Sequence, residues 1–305
     1  MFKTILSRLG QGILVVFCLI SITFFLVRMM PGDPLTDEKA LPPHIIEKNK
    51  AYYHLDKPLP VQYLYYFKNL AQGDLGDSMS KDRPVVEIIG SSFPVSLILG
   101  ISSMLIALAV GIPAGVIAAL RKNSFIDYAS MSIAMLGICI PAFVVGPLLA
   151  MYIASNVSFL KVAGWGGPFD WILPAITLGL TTAAYLARIT RGGMLEVLNQ
   201  DYIRTAKAKG LPTHRIITRH ALRGGLIPAV AYVGPAFAAL ISGSFIVETI
   251  FQIPGLGQHF INGATSRDYN ILQGVVFLYG VIIVIANLAA DIALAMLNPR
   301  ARESA

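Results

Sequence analysis

Six long stretches of this chain contain no Asp, Glu, Lys or Arg: Leu9–Val27, Ile88–Leu120, Tyr128–Leu160, Trp171–Ala187, Gly224–Val247 and Tyr269–Ala290. They run to 19, 33, 33, 17, 24 and 22 residues. A helix needs roughly 17–25 apolar residues to cross a bilayer, so each stretch is able to hold one span. The two 33-residue stretches each hold a span plus an interfacial flank. In the first, Ser91-Ser92-Phe93-Pro94 reads as the helix start; in the second, Ser155-Asn156-Val157-Ser158 reads as the exit. None alternates apolar and polar residues strictly, which argues against a β-barrel. Lys3 and Arg8 before the first stretch resemble a secretory signal. That stretch is long, however, and Arg28-Met29-Met30-Pro31 offers no small-x-small cleavage site, so an uncleaved first span is expected. The fold class is an all-α membrane protein with six transmembrane helices.

Composition narrows the classes further. Of 305 residues, 55% are hydrophobic and 13% charged, against about 25% charged in a soluble domain. Mean hydropathy is +0.66. These values exclude a soluble enzyme and a disordered chain. The only cysteines, Cys18 and Cys139, sit inside apolar stretches, which excludes a disulfide scaffold.

The net charge of +7 has a location. With both termini on one side, that side collects Lys3, Arg8, Arg121, Lys122, Arg300, Arg302 and eight basic residues between Arg188 and Arg223. Against Asp127, Glu196, Asp201 and Glu303 the balance there is +10; the opposite side balances at −2, and Asp291 lies within the last span. Basic loops stay in the cytoplasm, so both termini are expected there. The positive charge is topological and gives no reason to expect nucleic acid as a partner.

Two segments between spans stand out. From about Pro31 to Glu87 the chain is too long for a turn and contains Gln62-Tyr63-Leu64-Tyr65-Tyr66-Phe67. Short helices on the outer membrane face are expected. Their tyrosines fit an interfacial belt, and contact with an extracytoplasmic partner is compatible with that. In Arg188–Arg223, Leu195, Leu198, Tyr202 and Ala206 recur at helical spacing on one face, with Glu196, Gln200, Arg204 and Lys207 on another. Gly210 and Pro212 read as stop signals, and a second short helix, about Thr213–Leu222, leads to Gly224-Gly225. The result is a helical hairpin with a glycine at its turn. An interfacial helix held by anionic lipid and a protein-docking knob both fit this pattern.

Catalytic patterns are missing. No Gly-Lys dipeptide occurs, hence no phosphate-binding loop of the G-x-x-x-x-G-K-[ST] type; Cys-x-x-Cys and His-Glu-x-x-His are absent too. His44, His54, His214, His220 and His259 show no metal-ligand spacing. Gly164-Trp165-Gly166-Gly167 reads as a loop. No cofactor or metal is expected on this chain, and ATP-driven transport would need another chain to hydrolyse ATP. Within the spans, Asn287 and Asp291 share a helix face. An intramembrane acid is a functional candidate, although a structural role near the span's end fits Asp291 as well. Ser242, Ser244 and Glu248 could line a pathway or serve helix packing. Gly111-x-x-x-Gly115 reads as a close-packing site.

At this point the residues resemble a known family, the inner-membrane permease subunits of bacterial ATP-binding-cassette importers for peptides, dipeptides and nickel. The likeness covers nearly the whole chain: Pro31-Gly32-Asp33-Pro34; Tyr53-His54-Leu55-Asp56-Lys57-Pro58 with Gln62-Tyr63; Gly73-Asp74-Leu75-Gly76; Arg204-Thr205-Ala206-Lys207-Ala208-Lys209-Gly210-Leu211; and Ile253-Pro254-Gly255-Leu256-Gly257 with Arg267-Asp268-Tyr269. Ser91-Ser92-Phe93-Pro94-Val95-Ser96 and Arg219-His220-Ala221-Leu222 look closest to the first permease subunit of the oligopeptide branch. The resemblance implies the type I importer permease fold in the bacterial inner membrane. It also implies a second homologous permease, two ATPase subunits that bind ATP and Mg, an extracytoplasmic peptide-binding protein, a peptide substrate and surrounding lipid. Sister permeases for dipeptides, glutathione or nickel share most of these motifs. A rival from another class, an ion-coupled secondary transporter, would show internal repeats and midplane ionisable groups, which are not seen here.

The resemblance also gives the hairpin a role, docking into a groove of the ATPase. The family pattern there is Glu-Ala-Ala, three residues, Gly, then Ile-x-Leu-Pro. Gly210 and Ala206 hold the glycine and second-alanine places, while Arg204 and Thr205 stand where Glu and the first Ala would be. His220-Ala221-Leu222-Arg223 replaces Ile-x-Leu-Pro, and Pro228 comes later. The residues expected to couple are Tyr202, Arg204, Ala206, Lys207, Gly210, Leu211, Pro212 and Arg215. The pathway candidates are Ser242, Ser244, Glu248, Asn287 and Asp291. The expected organisation is a first span in residues 1–30, an external segment in 31–94 and a five-span core in 95–297. That core carries the coupling hairpin at about 194–222, and a cytoplasmic tail occupies 298–305.

Overall fold

A computed structural model describes residues 2–32, 34, 35 and 42–297. Asp33 and the expected tail 298–305, with Arg300, Arg302 and Glu303, lie outside the described residues. Among the described residues every regular element is helical, and the one extended pairing is an isolated bridge between Asp77 and Pro84.

Five helices are long and apolar enough to span: α1 (Phe2–Met29), α4 (Val85–Leu120), α7 (Ile172–Leu198), α11 (Ile227–Ile250) and α13 (Tyr269–Leu297). Between α1 and α4 lie the short helices α2 (Pro43–Tyr52) and α3 (Leu59–Ala71). The third charge-free stretch differs from its expected form. It is two helices, α5 (Phe125–Cys139) and α6 (Ala142–Leu149), the latter prolonged by a π-helical turn, Ala150–Ala154, and they are bent by 102°. Pro141 is the cause: the residue before a proline is driven out of the α region, and Ile140 sits at φ −87°, ψ 117°. With this bent pair counted as one span, the described residues hold six.

The second span also starts elsewhere than expected. The helix begins at Val85, right after Pro84, and runs unbroken through Ser91-Ser92-Phe93-Pro94, so the boundary drawn at residue 94 falls inside it. Packing overrides the local start signal there: Val85, Ile88 and Ile89 are buried against Leu256, Ile271 and Val275. Charge-free length alone does not define a span either. Thr249–Ser266 is also free of Asp, Glu, Lys and Arg over 18 residues. Pro254, Gly255 and Gly257 break it, and only the short α12 (Leu256–Thr265) forms.

The chain divides into two compact units. One comprises residues 1–10, 97–253 and 282–305; the other comprises 11–96 and 254–281. In the first, α4 meets α7 at the Gly111-x-x-x-Gly115 step. A Cβ at Gly111 would stand 2.5 Å from the Ala183 carbonyl oxygen and 2.9 Å from Leu186 Cβ. The close-packing reading of this motif therefore holds. Ala107, Ala183, Leu186 and Ala229 form the adjoining buried cluster.

In the second unit, α3 packs antiparallel against the later half of α1. Phe67 meets Phe17, Tyr63 and Tyr66 meet Phe24, and the Tyr63 hydroxyl lies 2.8 Å from Ser21 Oγ. These rings pack against one another within the chain, while Tyr52 and Tyr65 of the same segment stay exposed.

Candidate functional site

The hairpin expected between α7 and α11 is present, with a different phase. α7 ends at Leu198, and a new helix, α8 (Asp201–Ala208), starts after Gln200, which is extended at φ −71°, ψ 150°. The break at Asn199-Gln200 resets the helical register. Leu195, Leu198, Tyr202 and Ala206 therefore do not share a face. Tyr202 is 49% exposed, and Ile203 takes the inward place beside Ala206. Of the segment read from Arg188, the first eleven residues continue the helix of the fourth span.

α8 ends as predicted. The Gly210 N–H donates to the Lys207 carbonyl at 2.9 Å and the Leu211 N–H to the Ala206 carbonyl at 3.3 Å. This is the Schellman pairing, with Gly210 in the left-handed region at φ +74°. A Cβ at Gly210 would meet nothing within 4 Å, so the constraint is purely conformational. The return helix is continuous: α9 (Thr213–Arg215), a π-helical stretch Ile216–Ala221, then α10 (Leu222–Gly225). Pro212 is the residue before it, at φ −66°, the value its ring fixes.

Ile203, Ala206, Ile216 and Ala221 are buried with Met194 of α7 and Ala119 of α4. Ala206 thus holds the hairpin to its own chain. Tyr202, Arg204, Lys207, Gly210, Pro212 and Arg215 are exposed, and Leu211 is partly so. Arg204 makes a loose ion pair with Asp201 at 3.4 Å. Lys207 and Leu211 line a cleft of about 450 Å³ together with Leu195, Leu198, Thr213 and Ile217.

Sequence reasoning missed a bridge just above this hairpin. Arg191 of α7 grips Asp127 of α5 with two parallel bonds, Nε to Oδ1 at 2.5 Å and Nη2 to Oδ2 at 2.7 Å. Asp127 also accepts the Asn123 N–H at 3.0 Å, while its own N–H donates to Ser124 Oγ. Ser124-x-x-Asp127 is a capping pattern visible in the sequence; the partner 64 residues away is not.

The expected pathway residues fall into two places. Ser244 and Glu248 of α11 are fully buried, and the Ser244 hydroxyl lies 2.6 Å from Glu248 Oε1. Ser242, part-buried, turns its hydroxyl onto the Ala238 carbonyl. On α13, Asn287 lies where Gly234 of α11 makes its close approach. Asp291 pairs with Arg8 of α1 at 3.2 Å, both half exposed. The five are not one constellation.

The motifs outside the spans do converge. Arg267 lies over Gly32, and Asn270 Nδ2 donates to the Asp77 carbonyl at 2.8 Å. Asp268, fully buried, caps α13 through the Ile271 N–H and accepts Ser78 Oγ at 2.6 Å and the Ser80 N–H and Oγ at 3.0 Å. Lys81 Nζ lies 2.8 Å from His259 Nδ1 on α12. Burial, then the charges of Lys81 and Arg83, push the His259 ring down to about 4.

Comparison with known proteins matches this architecture. Residues 111–303 fit the model of the binding-protein-dependent transport system inner membrane component, and residues 1–100 fit its N-terminal membrane component. The chain belongs to this family. It is an OppB-like, multi-pass inner-membrane permease. It is 47% identical over 305 residues to the oligopeptide transport system permease protein OppB of Salmonella typhimurium, covering 99% of this chain and 100% of that one. The dipeptide transport system permease protein DppB of Bacillus subtilis is 40% identical over 301 residues, 98% of each chain. Among solved structures, the inward-facing MetNI methionine ABC transporter matches 70% of this chain and 97% of its own, with TM-score 0.60 and 17% identity. That likeness establishes the fold of type I importer permeases.

Proposed function

We propose that this permease is the membrane path of an ATP-driven importer for oligopeptides, fed by an extracytoplasmic binding protein and paired with a second homologous permease. Two ATPase subunits on other chains would carry ATP and Mg. The observation that carries this reading is full-length 47% identity to the Salmonella oligopeptide permease. The similarity to DppB keeps a dipeptide permease as the second reading.

The hairpin fits the coupling role in its construction. Its inner face is fastened to α7 and α4, and its outer face offers Tyr202, Arg204, Lys207, Pro212 and Arg215. α7 enters the hairpin and α11 leaves it, so a displacement of the exposed face tilts both spans together. Closure of two docked ATPases would bring the hairpins together and open the outer side, where the binding protein releases peptide; hydrolysis would reset it. Such a cycle requires docking that differs between inward-open and outward-open states. On this reading both termini are cytoplasmic, in keeping with the +10 side.

Uptake by the reconstituted complex with peptides of graded length, and with nickel, tests the substrate. Oligopeptide uptake is expected; nickel uptake without peptide uptake overturns it. Gly210→Val tests the hairpin: a β-branched residue at φ +74° is strained by roughly 1–3 kcal/mol. Insertion should survive and peptide-stimulated ATPase activity should fall. Normal stimulation would remove the hairpin from the mechanism.

A further inference from the structure

A cavity of about 410 Å³ opens beside the end of α1, in the unit formed by residues 11–96 and 254–281. That is the size of ligand pockets, ~300–1,000 Å³. Arg28, Tyr53, His54 and Tyr66 line it, and Asp74 and Asp77 stand in the same wall.

Arg28 is the first observation. Its Nε donates to Gln62 Oε1 at 2.8 Å and its Nη1 to the Phe24 carbonyl at 3.3 Å, and the guanidinium lies 3.5 Å from the Phe24 ring centroid. Among the described residues it has no carboxylate partner. A part-buried cation ordered this tightly without a counter-ion is placed to receive an anion. Beside it in the wall, the Tyr66 hydroxyl is buried and has no hydrogen-bond partner.

His54 is the second. It ends α2 in the left-handed region at φ +57°, with the Leu55 N–H returning to the Lys50 carbonyl at 2.8 Å. Glycine suits that position best, so the histidine is kept at a conformational cost. Its ring stacks on Tyr65 at 4.4 Å and forms part of the cavity wall.

The acids are the third. Asp77 accepts the Tyr52 hydroxyl at 2.5 Å and Asp74 the Gly76 N–H at 2.8 Å. They put negative charge in the wall, which repels a plain polyanion and attracts an ammonium group.

We infer that this cavity binds a small zwitterion, an amino acid or short peptide, with its carboxylate toward Arg28 and Tyr66 and its ammonium toward Asp74 and Asp77. It would be a holding site separate from the membrane path. The inference rests on the peptide-import reading only for the choice of probe.

The test is equilibrium binding of trialanine to the full-length permease in phosphatidylcholine nanodiscs, without a soluble binding protein. Trialanine amide and N-acetyl-trialanine each remove one charge. A hydrogen bond to a charged group contributes roughly 1.5–3 kcal/mol, so each block should weaken binding about 10- to 100-fold. Arg28→Gln should erase the difference between trialanine and its amide. His54→Gly relieves the backbone, so it should weaken binding while thermal stability stays level or rises. Equal binding of trialanine and its amide, an unchanged Arg28→Gln protein, or no saturable binding would overturn the site. Displacement of trialanine in phosphatidylethanolamine nanodiscs would reassign it to a lipid headgroup and overturn the peptide ligand. Peptide uptake without this binding would sink the holding site alone; loss of both would sink the import reading.

Discussion

Removing Asp127 should loosen the joint between α5 and α7. An exposed ion pair contributes about 0–1 kcal/mol, and breaking a fully buried one costs about 3–5 kcal/mol. Here the carboxylate is 1% exposed and the guanidinium 27%, with two bonds in parallel geometry. The pair therefore belongs between these limits, at about 2–3 kcal/mol for Asp127→Ala. Part of that loss is the Asn123 N–H left without its acceptor, which has nothing to do with Arg191. A double-mutant cycle with Arg191→Ala separates the two, and the coupling should be about 2 kcal/mol. The assay is unfolding of the four full-length proteins in one mild detergent. Asp127→Asn, which keeps an acceptor and removes the charge, should fall between wild type and Asp127→Ala. Coupling below about 0.5 kcal/mol, the scatter expected of independent sites, would refute the argument that burial makes this bridge matter.

Other expectations are simpler. The Arg8–Asp291 pair is 53% and 42% exposed, so Asp291→Asn should cost under about 1 kcal/mol in the same unfolding assay; a larger loss would mark Asp291 as more than a surface partner. His259 is held near 4, below its unfolded value of 6.5. Between those values the unfolded chain binds the extra proton, so stability around α12 should fall as pH drops from about 6.5 to 4. Hydrogen exchange over 254–281 should show this, and His259→Gln should flatten it. At Gly111 a leucine has no room against Ala183 and Leu186; a loss of about 1–3 kcal/mol or more is expected, and an unperturbed melting curve would contradict the packing.

What could be read in advance was local. Lipid tolerates few charges, so five unbroken spans and the bent pair fall where charge-free runs lie. Gly210 announced its cap because only the left-handed region ends a helix that way. Pro141 is an equally local signal, a break inside a stretch too long for one span. The remaining features depend on partners far along the chain. Nothing near Asp127 points to Arg191, and nothing near Ser78 points to Asp268. Periodicity alone places Tyr202 on the inner face, because it cannot show that Asn199-Gln200 restarts the count. Pro94 looks locally like a helix start because the packing that carries α4 through it comes from α12 and α13.

The Asp268 cluster also sets an order of events. Ser78 is synthesised 190 residues before the carboxylate that receives its hydroxyl. Contacts of such separation form late, and a chain made from its N-terminus exposes its early segments first. The segment around Ser78 therefore waits, unfinished, until α12 and the start of α13 emerge. A chain cut short before Asp268 would keep its earlier spans but leave that segment open to proteases. Closure of this cluster marks a permease that has been inserted to its end.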